Sequence, residues 1–287
     1  MLGALVMPMN VQEVSAASST YMSVIPQYND MPREKTGGYY IWVEDQYNQT
    51  TGASVYYLKC SKSTKKKAKV LITIKSDSFF MNAEVVSNGK YVFYSVSKGG
   101  KSSIYRVAIK GGKPKLMKDV KGSVKLGTYY KGRLYYEQNT TTTKLVSLNV
   151  SNKTTRTEKK KFHMDSGYGA YLTGIDLSTT KRKDRGPKMI LVYNAGTRKT
   201  VKTQVGMNSV AAGKWVYIYN YDFSDINKPT LIVKRCTPSG KQVKTIKRYK
   251  GKEWASYFGR TNLYLENNRG KVVKKLNYST GKITKAR

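Results

Sequence analysis

Gly89-Lys-Tyr-Val-Phe-Tyr94, followed by Ile104-Tyr-Arg-Val-Ala-Ile-Lys-Gly-Gly112, is one full unit of this chain. A glycine opens a short aromatic strand, an alternating strand follows, and a Gly-Gly pair turns the chain back. Aromatic and β-branched residues suit a pleated, half-buried surface, and glycine supplies the positive φ that tight turns need.

Working outward, the opening strand recurs as Gly38-Tyr-Tyr-Ile-Trp-Val43, Gly132-Arg-Leu-Tyr-Tyr136, Gly169-Ala-Tyr-Leu172, Gly213-Lys-Trp-Val-Tyr-Ile-Tyr219 and Gly259-Arg-Thr-Asn-Leu-Tyr-Leu265. The leading glycines are 51, 43, 37, 44 and 46 residues apart. The following strand also recurs, as Ser54–Cys60, Lys144–Val150, Met189–Tyr193, Leu231–Cys236 and Val272–Tyr278. Turns such as Ser151-Asn152, Ala195-Gly196, Ser239-Gly240 and Thr280-Gly281 come next, then a short last strand such as Lys115-Leu-Met117. Apolar stretches precede four of the glycine strands: 79–81, 123–126, 209–212 and 254–258.

Four short strands every ~40–45 residues, without a 3.6-residue period, is the signature of propeller blades. The expectation is an all-β, six-bladed propeller of four-stranded blades over residues 18–287. Radial closure also explains how so many short strands avoid long open edges. A sandwich gives no reason for so regular a period.

The Gly89–Gly112 unit resembles the repeats of two propeller families. One is the Tyr-Trp-Thr-Asp propellers of low-density-lipoprotein-receptor type; the other is the secreted bacterial propellers of unknown function, distantly similar to TolB. The full tetrad is absent, and Ile41-Trp42-Val43-Glu44 is the nearest approach. The resemblance implies a propeller fold and a binding role, and it carries over no catalytic residues.

Lys and Arg number 53 against 17 acids, a formal charge of +36. Such a charge opposes compaction unless anions screen or bind it. The repeat gives it geography: residues 59–69, 110–121, 153–161, 198–202, 234–252 and 271–287 hold 33 of the 53 cations and only Asp119 and Glu158 among acids. These segments surround the hairpins between third and fourth strands. Lys65, Lys66, Lys67, Lys113, Lys115, Lys159, Lys160, Lys241, Lys244, Lys247 and Arg248 are the expected polyanion contacts. Lysines on outer strands also protect sheet edges, but Lys65-Lys66-Lys67, and Lys234 to Lys252 without an acid, exceed that need. Acids collect after the second strand instead, at Glu44, Asp45, Glu137, Asp176, Asp184, Asp222, Asp225 and Glu266.

Met1–Met9 is a short apolar run, and Val14-Ser15-Ala16-Ala17 resembles a signal-peptidase site, so residues 1–17 read as an export signal lacking its basic start. The expected location is extracellular, including the cell wall. Cys60 and Cys236 fall at the same third-strand position of non-adjacent blades, too far apart for a disulfide, and are expected as buried small hydrophobes.

His163 is the single histidine and falls between blades as a surface or packed residue; no zinc spacing accompanies it. No nucleophile elbow, Walker loop or dinucleotide fingerprint occurs, so no cofactor or metal is expected. A glycosidase needs converging carboxylates, for which Asp45, Asp176, Asp222 and Glu266 are the candidates. Their positions vary between blades, and sialidase-type Asp boxes are missing. The leading expectation is a monomeric, non-catalytic binding module for cell-wall polymers or acidic glycans. The alternative is a protein-interaction scaffold using the less basic loop face. Nucleic acid is permitted by charge but disfavoured by export and by the lack of any nucleic-acid module.

Overall fold

A computed structural model describes residues 21–22, 35–36, 39–48, 53–63, 68–76, 80–81, 84–178, 186–258 and 261–286. The export-like run 1–17, Lys65–Lys67 and Asp184 lie outside the described residues. The described chain forms six antiparallel blades arranged in a ring, each built from strands consecutive in sequence. No helix long and apolar enough to cross a membrane occurs among the described residues.

Blade 3 shows the plan. Its strands are Ser123–Tyr130, Arg133–Asn139, Thr143–Asn149 and Thr155–Lys160, innermost to outermost. The first hairpin turns on Lys131-Gly132, both at positive φ (43° and 77°). Two such residues make the tight turn whose twist matches the flanking strands.

Blade 4 comprises Phe162–Tyr168, Tyr171–Asp176, Lys188–Asn194 and Lys199–Gly206; blade 5 comprises Asn208–Ala212, Trp215–Asp222, Thr230–Cys236 and Lys244–Tyr249. Blade 6 follows as Trp254–Phe258, Asn262–Glu266, Val272–Asn277 and Ile283–Lys285. In blades 1 and 2 the innermost strand is split. Tyr21–Met22 and Lys35–Thr36 flank Tyr39–Asn48, ahead of Ser54–Ser61 and Lys69–Ser76. Phe80–Met81 and Val86–Ser87 flank Tyr91–Lys98, ahead of Lys101–Ala108 and Lys115–Lys121.

The period-2 alternation of each strand sends successive side chains to the two neighbouring blades. Leu134 and Tyr136 join a cluster with Phe93, Ile104 and Met117 of blade 2. Tyr135, between them, joins Phe162, Met164 and Leu191 of blade 4. The same arrangement packs blade 1 on 2, blade 4 on 5 and blade 5 on 6. Burying each such side chain contributes roughly 1.5–3 kcal/mol before conformational entropy is counted. The core is therefore a set of slabs between blades.

Two expectations need correction. His163 lies within the innermost strand of blade 4, not between blades. Cys60 and Cys236 are free and buried as expected, yet they are not at one position. Cys60 packs forward onto blade 2, whereas Cys236 packs back onto blade 4. The two registers differ in parity, so the thiols point to opposite sides of their blades.

Candidate functional site

In an antiparallel blade alternate turns open on opposite ends. First-to-second and third-to-fourth turns therefore share one face of the ring, and second-to-third turns share the other. On the first face, the third-to-fourth turns carry Lys62, Lys110, Lys113, Lys153, Arg198, Lys241 and Lys282. The first-to-second turns add Lys90, Lys131 and Lys214. Among the described residues, none of these turns holds a carboxylate. At the opposite ends, Asp176, Asp222 and Glu266 close their second strands and Asp225 follows in a loop.

Several of these cations are held in place. Lys90 and Arg106 lie 5.4 and 4.6 Å from the Tyr91 ring centre. Lys214 and Arg235 lie 5.5 and 4.2 Å from that of Trp215 in blade 5. Lys131 sits 5.6 Å from the Tyr130 ring. A cation over an aromatic face is attracted by the ring quadrupole while its hydrogens remain available. Lys153 Nζ donates to the Leu116 carbonyl of blade 2 at 3.1 Å.

The outer strands split the expected contact set. Lys113 and Lys241 lie in hairpins, and Lys115 and Lys244 begin the strands that follow. Lys159 and Lys160 end the outer strand of blade 3, and Lys247 and Arg248 fall near the end of that of blade 5. A six-residue strand spans on the order of 15–20 Å, so this second group stands near the opposite face. There Lys159 Nζ reaches Asp176 Oδ2 at 4.0 Å. The first-to-second turn lysines complete the hairpin face and were absent from the sequence-based set. Their signal is a lysine beside the turn glycine: Gly89-Lys90, Lys131-Gly132, Gly213-Lys214.

Of the two acids in the cation-rich segments, Glu158 has a fully buried side chain. It accepts from Arg156 Nη2 at 2.7 Å, Arg198 Nε at 3.3 Å, Tyr193 Oη at 2.6 Å and the Ser147 hydroxyl. Burial pushes its carboxyl up, but the bonds from Ser147, Tyr193 and Arg156 outweigh that and hold it below the usual carboxylate range. It ties blade 3 to Tyr193 and Arg198 of blade 4.

Of the glycosidase candidates, Asp176 and Asp222 each bind the turn that follows their own strand. Asp176 accepts from the Ser178 amide and hydroxyl, and Asp222 accepts from the Ser224 amide. Both carboxylates cap their own turns, in different blades. Asp45 lies in a blade 1 strand with its side chain outside the description, and Glu266 lies in blade 6. Among the described residues, no three His, Cys, Asp or Glu converge as metal ligands.

A polar centre missing from the sequence-based set joins blades 3, 4 and 5. Glu137 of the second strand of blade 3 is 1% exposed. It accepts from the Met164 amide, from His163 Nδ1 at 3.1 Å and from Asn139 at 2.7 Å. Lys125 donates to the Met164 carbonyl at 3.0 Å, so blade 3 side chains satisfy both main-chain groups of that innermost residue. Asp165 accepts from the Ser209 hydroxyl of blade 5 at 2.6 Å, and burial pushes its carboxyl up. Among the described residues this centre holds no group of three His, Cys, Asp or Glu that could bind a metal ion.

No family model matches the chain, and no curated protein matches it. Solved structures do. TolB from Acinetobacter baumannii is similar at 13% identity and a TM-score of 0.55, over 86% of this chain and 65% of that one. The chain thus spans about two thirds of TolB. A prolyl endopeptidase matches at 13% identity and 0.56, over 85% and 42% of the two chains. An oligogalacturonate lyase solved with manganese matches at 9% and 0.55, over 87% and 73%. At these identities the shared feature is the propeller. The TolB-like fold expected from the repeats is borne out.

Proposed function

We propose that this propeller is an exported, non-catalytic binding module that holds anionic polymers, cell-wall polymers or acidic glycans, on its hairpin face. The supporting observation is the run of cations in the first-to-second and third-to-fourth turns, without a carboxylate among their described residues. Lysine outnumbers arginine there, and ammonium groups act as point charges without the bidentate geometry of guanidinium. Selection is therefore by charge density more than by shape. The contact set is Lys113, Lys115, Lys241 and Lys244 together with the turn lysines; Lys65, Lys66 and Lys67 belong to it by sequence. Lys159, Lys160, Lys247 and Arg248 extend it along the rim.

Retention on heparin resin tests this reading. Each lysine that neutralises an anion releases a counterion, so the logarithm of affinity falls linearly with the logarithm of salt. A steep linear fall supports the proposal; retention indifferent to salt overturns it.

A second reading, a protein-interaction scaffold, is favoured by the opposite face. Phe223, Trp254 and Ile226 are 51, 40 and 81% exposed. The Phe223 and Trp254 rings lie 5.8 and 5.3 Å from that of Tyr221. Salt-insensitive capture of one protein, lost on Trp254→Ala, is the result expected of that reading.

A further inference from the structure

An open hollow of about 350 Å³ lies on the hairpin face between blades 1 and 2. Tyr39, Cys60 and Ile109 form its ring-lined and apolar wall, and Lys62, Lys69 and Lys110 bring their stems to it. Among the described residues, no carboxylate lines it. Three like charges around one small hollow repel one another, and an anion between them relieves that repulsion.

Lys69 is built into place. Its Nζ donates to the Lys110 carbonyl of blade 2. The ammonium lies against Gly111, where an added Cβ would stand 2.9 Å from Nζ and 3.3 Å from Cε. Gly111 sits at φ +92°, a conformation that side chains rarely adopt. An ammonium has three donors; one is engaged on Lys110, and two remain for a ligand. Lys62 Nζ lies 5.8 Å from the Tyr39 ring centre, placing a second cation beside an aromatic wall.

We infer that this hollow is a subsite for one sugar ring bearing an anionic substituent, carboxylate or phosphate. The anion meets the free donors of Lys69 and the Lys62 ammonium, while the ring packs on Tyr39 and the Ile109 wall. The volume is at the small end of ligand pockets and suits a single ring. The inference rests on the polyanion reading and specifies where a polymer residue is read individually.

The test is calorimetric titration of the full chain with glucuronate, glucose 6-phosphate and, as neutral control, glucose. At least one acidic sugar binds and glucose does not; which acid binds identifies the substituent. Lys69→Gln weakens that binding about tenfold, the scale of one charge-assisted hydrogen bond. Gly111→Ala weakens it comparably with no change of charge. Lys228→Gln, which removes an equal charge from the second-to-third turn of blade 5 on the opposite face, leaves it unchanged.

If Lys228→Gln costs as much as Lys69→Gln, or Gly111→Ala costs nothing, the hollow is only part of a diffuse field and the subsite is wrong. Failure of both acidic sugars to bind, with heparin retention still salt-dependent, sinks the subsite and spares the broader reading. Loss of salt dependence sinks both. Should Gly111→Ala fail to fold, Lys69→Met keeps the stem, removes the ammonium, and decides against Lys228→Gln.

Discussion

His163 Nδ1 stands 3.1 Å from a Glu137 carboxylate oxygen, and the two residues belong to neighbouring blades. The carboxylate is buried, whereas 46% of the imidazole side chain remains accessible. The pair joins the inner part of blade 3 to blade 4, as Glu158 ties the outer strand of blade 3 to Tyr193 and Arg198 of blade 4.

That pair makes stability depend on pH in a defined window. The Glu137 hydrogen bond raises His163 above its ordinary value against the effect of burial, with the Glu137 and Asp165 charges adding and Lys125 opposing. Burial pushes Glu137 up, but His163, the Met164 amide and Asn139 together hold it below the usual range. A raised imidazolium stabilises below its unfolded value, and that stabilisation is lost as pH rises through the folded one; a lowered carboxyl behaves in the opposite sense. The contribution is therefore fullest between about pH 4.5 and 6.5, the unperturbed values of the two groups. His163→Gln is expected to lower the melting temperature most inside that window and less on either side. A deficit constant from pH 4 to 9 would contradict it.

Glu158 carries a different prediction. Removing it leaves the Tyr193 and Ser147 hydroxyls without their acceptor, while Arg156 and Arg198, 39 and 53% exposed, keep much of their hydration. Glu158→Ala is expected to cost about 2 kcal/mol, the scale of buried polar groups losing a partner. Urea denaturation measures it, and a change below about 0.5 kcal/mol, the range of ordinary surface substitutions, means the network adds little.

Lys153 tests whether charge or turn geometry governs the hairpin face. It occupies φ +59°, where a residue with a Cβ is strained by about 1 kcal/mol relative to glycine. Lys153→Gly is expected to raise stability by up to about that amount while lowering the salt slope of heparin retention by about one. An unchanged slope would remove Lys153 from the contact set.

The fold was legible because a repeated glycine and an alternating aromatic strand need no tertiary information to be recognised. Blade 4 was harder to read, and the reason is physical. Its innermost strand, Phe162–Tyr168, carries His163, Asp165, Ser166 and Gly167, whose partners are Glu137, Ser209, the Ala211 amide and Gly127 of other blades. Those contacts exist only after the ring forms, so the strand lacks an apolar signature. The lysines illustrate the same limit. Their clustering near outer strands could be counted along the chain, but which end of a strand each occupies depended on boundaries only the hydrogen-bonded register supplies. Lys115 and Lys159, grouped by sequence, stand at opposite ends of their strands.

Gly127 and Gly167 lie on the innermost strands of blades 3 and 4, and a Cβ built on Gly167 would stand 2.7 Å from the Gly127 carbonyl carbon and oxygen. A Cβ on Gly127 would meet Met164 Sδ at 2.6 Å. Gly167→Ala is therefore expected to cost about 1–3 kcal/mol in melting experiments, as overpacked sites do, because backbone must give way. These two residues, which offer no chemistry of their own, act as the spacer that sets how near Glu137 comes to His163. A methyl at Gly167 would press directly on the Gly127 backbone and push the two innermost strands apart, whereas one at Gly127 meets only the movable side-chain ends of Met164 and Leu172.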